Sequence, residues 1–154
     1  MGTVRVVRGT GGGPTATASY DAALADAGVH NYNLVTVSSV VPEGASVEVV
    51  GTAPDLGPVG GRLTVVQARA TVERGPAVAG LGWVLADEGG LFYEASGTGR
   101  ETVIEEIERG LDRARDLRQW TYRGGDRTTA VARDEGTYTT AVVLAVYGRA
   151  DALV

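Results

Sequence analysis

The sequence contains no cysteine and no lysine, since all 14 of its basic residues are arginine. Without cysteine the chain cannot form disulfides, thiolate nucleophiles or cysteine-ligated metal sites. Without lysine it cannot form the internal aldimine of a pyridoxal phosphate enzyme, any lysine Schiff base or the phosphate contact of a P-loop lysine. Any amine or carbanion chemistry would therefore need an electrophile from another source.

Other features are scarce as well. His30 is the single histidine, and without cysteine or further histidine it is a poor metal ligand, so we expect no metal. No apolar run approaches the roughly 18 residues of a membrane span, and the first residues carry no apolar signal core. These patterns predict a cytoplasmic protein with no membrane partner.

The charge balance is mildly acidic, with 19 acidic residues against 14 basic ones and a formal net charge of −5. Nucleic-acid binding needs clustered positive charge that carboxylates do not balance, so this balance argues against a nucleic-acid partner. A cationic or zwitterionic small molecule suits such a chain better.

With 154 residues, 44% of them hydrophobic and 21% charged, the chain predicts one globular domain over residues 1–154. Helices are expected at residues 19–27, with Ser19 as N-cap and Gly28 as C-cap, and at residues 98–120, with a capping box of Thr98 and Glu101. The glycine-rich residues 9–14 predict a flexible turn.

Runs of β-branched and apolar residues predict about eight strands. They are expected at residues 4–7, 32–41, 47–50, 62–73, 77–86, 91–95, 128–133 and 138–147. Residues 62–73 and 77–86 are expected to form a hairpin, and the continuously apolar residues 141–146 predict a central strand. Helices packed on a mainly antiparallel sheet make this an α+β protein.

Two adjacent serines, Ser38 and Ser39, follow the apolar residues 34–37. One interpretation is a strand end whose hydroxyls satisfy the backbone, and for so short a motif this is the commoner case. The other is chemical. The hydroxyl of Ser39 could attack the carbonyl carbon of Ser38 and convert the peptide bond to an ester, and β-elimination would then cut the chain and leave a pyruvoyl group. That group would be a carbonyl electrophile that needs no lysine.

Residues 33–42, Asn-Leu-Val-Thr-Val-Ser-Ser-Val-Val-Pro, preceded by Tyr-Asp-Ala-Ala-Leu at 20–24, resemble the processing region of the pyruvoyl-dependent arginine decarboxylases. Residues 90–97, Gly-Leu-Phe-Tyr-Glu-Ala-Ser-Gly, are similar to the strand that carries the catalytic glutamate of that family. The resemblance implies a four-layer αββα sandwich. It also implies cleavage between Ser38 and Ser39 into a β chain of residues 1–38 and an α chain of residues 39–154.

The same resemblance implies that L-arginine is decarboxylated to agmatine and CO₂ by a covalent pyruvoyl group derived from Ser39, without pyridoxal phosphate or metal. Glu94 would be the proton donor, partly desolvated by its apolar neighbours. Asn33 would lie beside the pyruvoyl group and donate to a carbonyl oxygen or the substrate carboxylate, and Ser38 would become a free C-terminus near the substrate.

Substrate binding is implied for three further residues. Asp21 would pair with the guanidinium group, for which a carboxylate has the right geometry, while Leu24 and Phe92 would line the aliphatic stem. Trimers of cleaved protomers, or a multiple of them, would carry the active sites at subunit contacts. Since Asp21 alone argues for a guanidinium, another amino acid substrate stays open, as does an uncleaved, non-enzymatic trimer.

Overall fold

A computed structural model describes residues 2–154. Nine strands and two helices follow one another along the chain. They are β1 (Thr3–Gly13), α1 (Ala16–Ala27), β2 (Asn33–Thr36), β3 (Val40–Val41), β4 (Ser46–Gly51), β5 (Arg62–Val72), β6 (Pro76–Ala86), β7 (Gly89–Gly97), α2 (Arg100–Asp116), β8 (Tyr122–Arg133) and β9 (Tyr138–Asp151). Within residues 2–154, no helix combines the length and the apolar composition needed to cross a membrane.

The strands form two sheets. The five-stranded sheet has the order β2-β5-β9-β1-β4 and the four-stranded sheet the order β3-β7-β6-β8. Within residues 2–154, β1–β4 and β2–β5 are the two parallel pairs, and the other pairs are antiparallel. One apolar core lies between the sheets, a second under α1 on the five-stranded sheet, and a third under α2 on the four-stranded sheet. The expected α+β sandwich is confirmed, with the layers in the order helix, sheet, sheet, helix.

Strand β9 is the third of the five strands in its sheet. Its residues 141–146 are all fully buried, because their alternating side chains enter the core between the sheets on one side and the core under α1 on the other. The prediction of a central strand is confirmed.

The glycine-rich residues 9–13 belong to β1 and do not form the expected turn. A β-carbon on Gly9 would overlap the carbonyl oxygen of Ala23 in α1, so the glycines let the helix lie directly on the strand. Helix α1 also begins earlier than expected: Thr15 is its N-cap, and its side chain accepts a hydrogen bond from the N–H of Ala18 at 3.0 Å. Ser19 is buried instead of capping the helix.

The helix ends differ in how well the sequence predicts them. Gly28 closes α1 in a left-handed conformation with φ of 81°, as expected. The capping box proposed for α2 is wrong, because Gly99 occupies the N-cap position and no side chain caps it. Helix α2 also ends at Asp116, four residues before the predicted end, Trp120.

Two strand predictions need correction. The expected strand at residues 32–41 is divided into β2 and β3, which belong to different sheets. The expected hairpin is absent from the described residues: β5 and β6 also lie in different sheets, and the chain crosses between the sheets from the end of β5 to the start of β6. Ala70 on β5 and Ala77 on β6 both enter the core between the sheets.

Candidate active site

The two serines lie where the chain passes from one sheet to the other. Both β2 and β3 are edge strands, and residues 37–39 connect them along one open side of the sandwich. Val35, Val37 and Val40 are exposed there by 41%, 37% and 44%. The segment that contains the two serines is therefore a connection between the two sheets, and its apolar neighbours are exposed.

Hydrogen bonds hold Ser39 at the centre of a three-residue turn. The N–H of Val40 donates to the Ser38 carbonyl oxygen at 3.0 Å, and the N–H of Phe92 donates to the Ser39 carbonyl oxygen at 2.8 Å. Such donors stabilise negative charge that develops on a carbonyl oxygen. Both carbonyl groups that the proposed chemistry needs are therefore polarised by main-chain donors.

Glu94 accepts a hydrogen bond from the Ser39 hydroxyl, with 3.0 Å between Oγ and Oε2. The carboxylate reaches the serine because β3 pairs with β7 only opposite Leu91 and Gly90, so the next part of β7 has no neighbouring strand on that side. For the same reason Glu94 is exposed in the single chain. The desolvation expected for this residue is not supplied by its own chain.

A cavity of about 370 Å³ lies beside this hydrogen bond. Ser38, Ser39 and Glu94 line it together with Arg118, which follows the end of α2. The Arg118 guanidinium donates from Nη1 to the carbonyl oxygen of Ala114 at 3.1 Å. Residues with hydroxyl, carboxylate and guanidinium groups thus line one shared cavity.

Tyr147 contacts the residue that follows Ser39 and the ring of Phe92. Its hydroxyl donates to the Val40 carbonyl oxygen at 2.8 Å, and its ring packs edge-on against Phe92 at 6.2 Å between centroids. Burial, with the nearby negative charge of Glu94, raises the pKa of Tyr147 to about 12. The phenol therefore keeps its proton and remains a donor at neutral pH.

A family model described as pyruvoyl-dependent arginine decarboxylase matches residues 3–152. The chain belongs to this family. A pyruvoyl-dependent arginine decarboxylase of Halobacterium salinarum is 48% identical over 98% of this chain and 97% of its own length. Proteins of the same name from Thermococcus sibiricus and Pyrococcus furiosus are each 33% identical over 70% of both chains. The resemblance stated from the two motifs is confirmed.

The residues around Ser39 fit the covalent pyruvoyl group that this family uses. The Ser39 hydroxyl has an acceptor, and both carbonyl groups beside it have donors, so the atoms to be converted are already held. Among residues 2–154 there is no group of three or more acidic or histidine side chains arranged to bind a metal ion.

Three residues that the decarboxylase resemblance assigns to the site do not line this cavity. Asp21 is exposed on α1, and Leu24 is buried in the core under that helix. Asn33 begins β2, and its side-chain amide donates to the carbonyl oxygen of Gly60 at 2.8 Å. Their assigned roles stay predictions that one copy of the chain does not bring together.

Phe92 does line the cavity, but its ring belongs to the core between the sheets. Sequence reasoning missed Arg118 and Tyr147 altogether. Arg118 was included in the expected long helix, whose charges predict a solvated face, and Tyr147 ends an apolar run with no motif around it. The available signal is that Tyr147 places a hydroxyl group directly after the apolar run at residues 141–146.

Proposed function

We propose that this chain cleaves itself between Ser38 and Ser39, giving chains of residues 1–38 and 39–154, and then decarboxylates L-arginine to agmatine and CO₂. The observation that carries the proposal is the hydrogen bond from the Ser39 hydroxyl to Glu94, within a turn that also places a donor on the Ser38 carbonyl oxygen. The names of the relatives support arginine as the substrate.

Self-cleavage begins when Ser39 Oγ attacks the carbonyl carbon of Ser38 while Glu94 accepts the hydroxyl proton. Negative charge develops on the Ser38 oxygen, to which the Val40 N–H already donates. The carbon–nitrogen bond then breaks, the nitrogen of Ser39 takes up a proton, and an ester joins the two residues.

β-Elimination completes the cut. The α-proton of residue 39 leaves, its Cβ–Oγ bond breaks, and Ser38 departs with a carboxylate as the end of chain 1–38. Residue 39 is then dehydroalanine, whose nitrogen is replaced by water and released as ammonia. The product is a pyruvoyl group at the start of chain 39–154.

In the decarboxylation, a pyruvoyl group held at residue 39 would supply the carbonyl electrophile for the substrate amine and a sink for the electrons that CO₂ leaves behind. The Phe92 N–H donates to the carbonyl oxygen of residue 39, where it stabilises the added negative charge. Glu94, beside the side chain of residue 39, returns a proton to the substrate carbon. Tyr147 fixes the following residue through its bond to Val40.

Asp21, Leu24 and Asn33 complete the site from a neighbouring copy of the chain in this proposal. Support comes from their position outside the cavity and from the exposed edge strand β2 with Val35 and Val37. A trimer, or a multiple of it, would bury these apolar side chains and remove water from Glu94. Cytoplasmic location stays a prediction.

Intact mass spectrometry tests the proposal. We expect two species, split after residue 38, with the larger one blocked to Edman degradation, and a Ser39→Ala variant that stays uncut. A single persistent full-length species would refute the proposal.

Release of CO₂ from labelled arginine, lysine and ornithine then tests the substrate. We expect arginine to be preferred because Asp21 offers a carboxylate to its guanidinium group. Equal or faster release from lysine or ornithine would instead support the same chemistry on another cationic amino acid. Light scattering of the cleaved protein measures the number of copies in the assembly.

A further inference from the structure

Arg118 is the one basic residue among the nine that line the cavity at Ser39. It is half-buried, and its guanidinium is fixed by the Ala114 carbonyl oxygen and by the ring of Trp120, 5.4 Å from the guanidinium carbon. The ion pairs within residues 2–154 use other arginines. Arg118 therefore lines the cavity, and among the described residues it forms no ion pair with a carboxylate.

The proposed reaction changes the charge of this cavity. Before cleavage, Glu94 and Arg118 are the ionisable groups that line it with full charges of opposite sign. Cleavage adds a carboxylate at Ser38, and the amino acid substrate brings another on its α-carbon. A second carboxylate beside Glu94 is unfavourable unless a cation compensates it. Arg118 is the group in place to do so.

We propose that Arg118 is the carboxylate-binding residue of this cavity. Its planar guanidinium offers paired donors that match the two oxygens of a carboxylate. Two sources share this chemistry, the terminal carboxylate that cleavage leaves on Ser38 and the α-carboxylate of the substrate. The inference rests on the proposed function, because the uncleaved, unliganded chain has neither group.

The test compares Arg118→Gln and Arg118→Lys with Arg113→Gln. Arg113 lies in the last turn of the same helix and is exposed, so its variant reproduces the loss of one charge near the helix end. Thermal unfolding of each protein reports on folding. The lysine variant keeps the charge but not the paired planar donors, so it is expected to restore only part of what glutamine removes.

If the substrate carboxylate is bound, Arg118→Gln raises the KM for arginine about 10- to 100-fold. The inhibition constant of agmatine, which has no carboxylate, stays within about threefold of the wild-type value. If the Ser38 carboxylate is bound, arginine and agmatine change together. In that case carboxypeptidase removes Ser38 from chain 1–38 faster in Arg118→Gln than in the wild type, as followed by mass.

The proposal is overturned if Arg118→Gln keeps wild-type kinetics and wild-type resistance to carboxypeptidase, or if Arg113→Gln gives the same changes. Trimming of the wild-type chain at the same rate as the variant excludes Ser38 as the bound group. Failure of the proposed function is distinct, because the wild-type protein itself would then stay uncut or release no CO₂ from arginine.

Discussion

Replacement of Glu94 by glutamine separates the two steps that we assign to this side chain. The glutamine amide would keep an oxygen able to accept the 3.0 Å hydrogen bond from Ser39, and Glu94 is exposed, so the fold should tolerate the change. The amide can neither take the Ser39 proton nor return one to the substrate. We therefore expect loss of chemistry with little loss of structure.

The size of the effect follows from proton transfer. A positioned general acid or base contributes about 10²- to 10⁴-fold to a rate, which is about 3 to 5 kcal/mol of activation free energy. We expect self-cleavage of Glu94→Gln to slow by this factor, and kcat per cleaved chain to fall by a similar factor. The KM for arginine should change less than about threefold, because substrate contacts are assigned to other residues.

Two measurements are needed, since slow cleavage alone would lower activity. Intact mass gives the cleaved fraction over time, and CO₂ release is divided by that fraction. Glu105→Gln, which alters an exposed glutamate on α2, is the matched control and should behave as the wild type. Cleavage and kcat of Glu94→Gln within threefold of the wild-type values would refute both roles of the carboxylate.

Two further variants probe the turn and the packing. Tyr147→Phe removes the donor to Val40 and should lower kcat per cleaved chain about 3- to 10-fold. Because the raised pKa of about 12 keeps the folded phenol protonated, its contribution to stability is present below pH 10 and declines as pH rises toward 12. The free energy of unfolding, measured with urea, should therefore fall more steeply between pH 10 and pH 12 for the wild type than for the variant. Equal pH dependence of the two proteins would contradict this. Gly9→Ala forces a β-carbon against Ala23 of α1 and should lower the free energy of unfolding by about 1 to 3 kcal/mol. A β-carbon at Gly124 meets open space, so Gly124→Ala should change the free energy of unfolding by less than about 1 kcal/mol. Equal effects of the two substitutions in urea unfolding would show that α1 does not pack closely against Gly9.

The resemblance to the decarboxylase family made part of the candidate site predictable. Ser38 and Ser39 are adjacent in sequence, and Glu94 lies in a strand whose neighbours carry a recognisable pattern, so the motifs identified them without any knowledge of the fold. The structure places Glu94 in hydrogen-bonding distance of Ser39, across 55 positions of the chain. The apolar residues 141–146 were equally predictable, because only a strand covered on both faces can bury such a run.

What the sequence did not reveal depends on contacts between distant segments. The glycines of β1 have the composition of a loop. Their role is to leave space for α1, and that role depends on the position of a helix that the local sequence does not reveal. The crossings between sheets at residues 37–39 and 73–75 have no local signature, because a strand that changes sheets and one that continues carry the same β-branched residues. Tyr147 reaches Val40 from 107 positions away.

The strand pairing is compatible with the proposed cut between Ser38 and Ser39. Residues 1–38 include β1, which is paired with β9 on one side and β4 on the other, and β2, which is paired with β5. Helix α1 adds its buried face to the same core. The bond between Ser38 and Ser39 lies in the crossing segment, so breaking it interrupts no strand and no helix. The β-sheet hydrogen bonds and the apolar contacts between residues 2–38 and the rest of the chain involve other atoms, so we expect them to persist after cleavage. The new chain ends would then lie beside the cavity at Ser39.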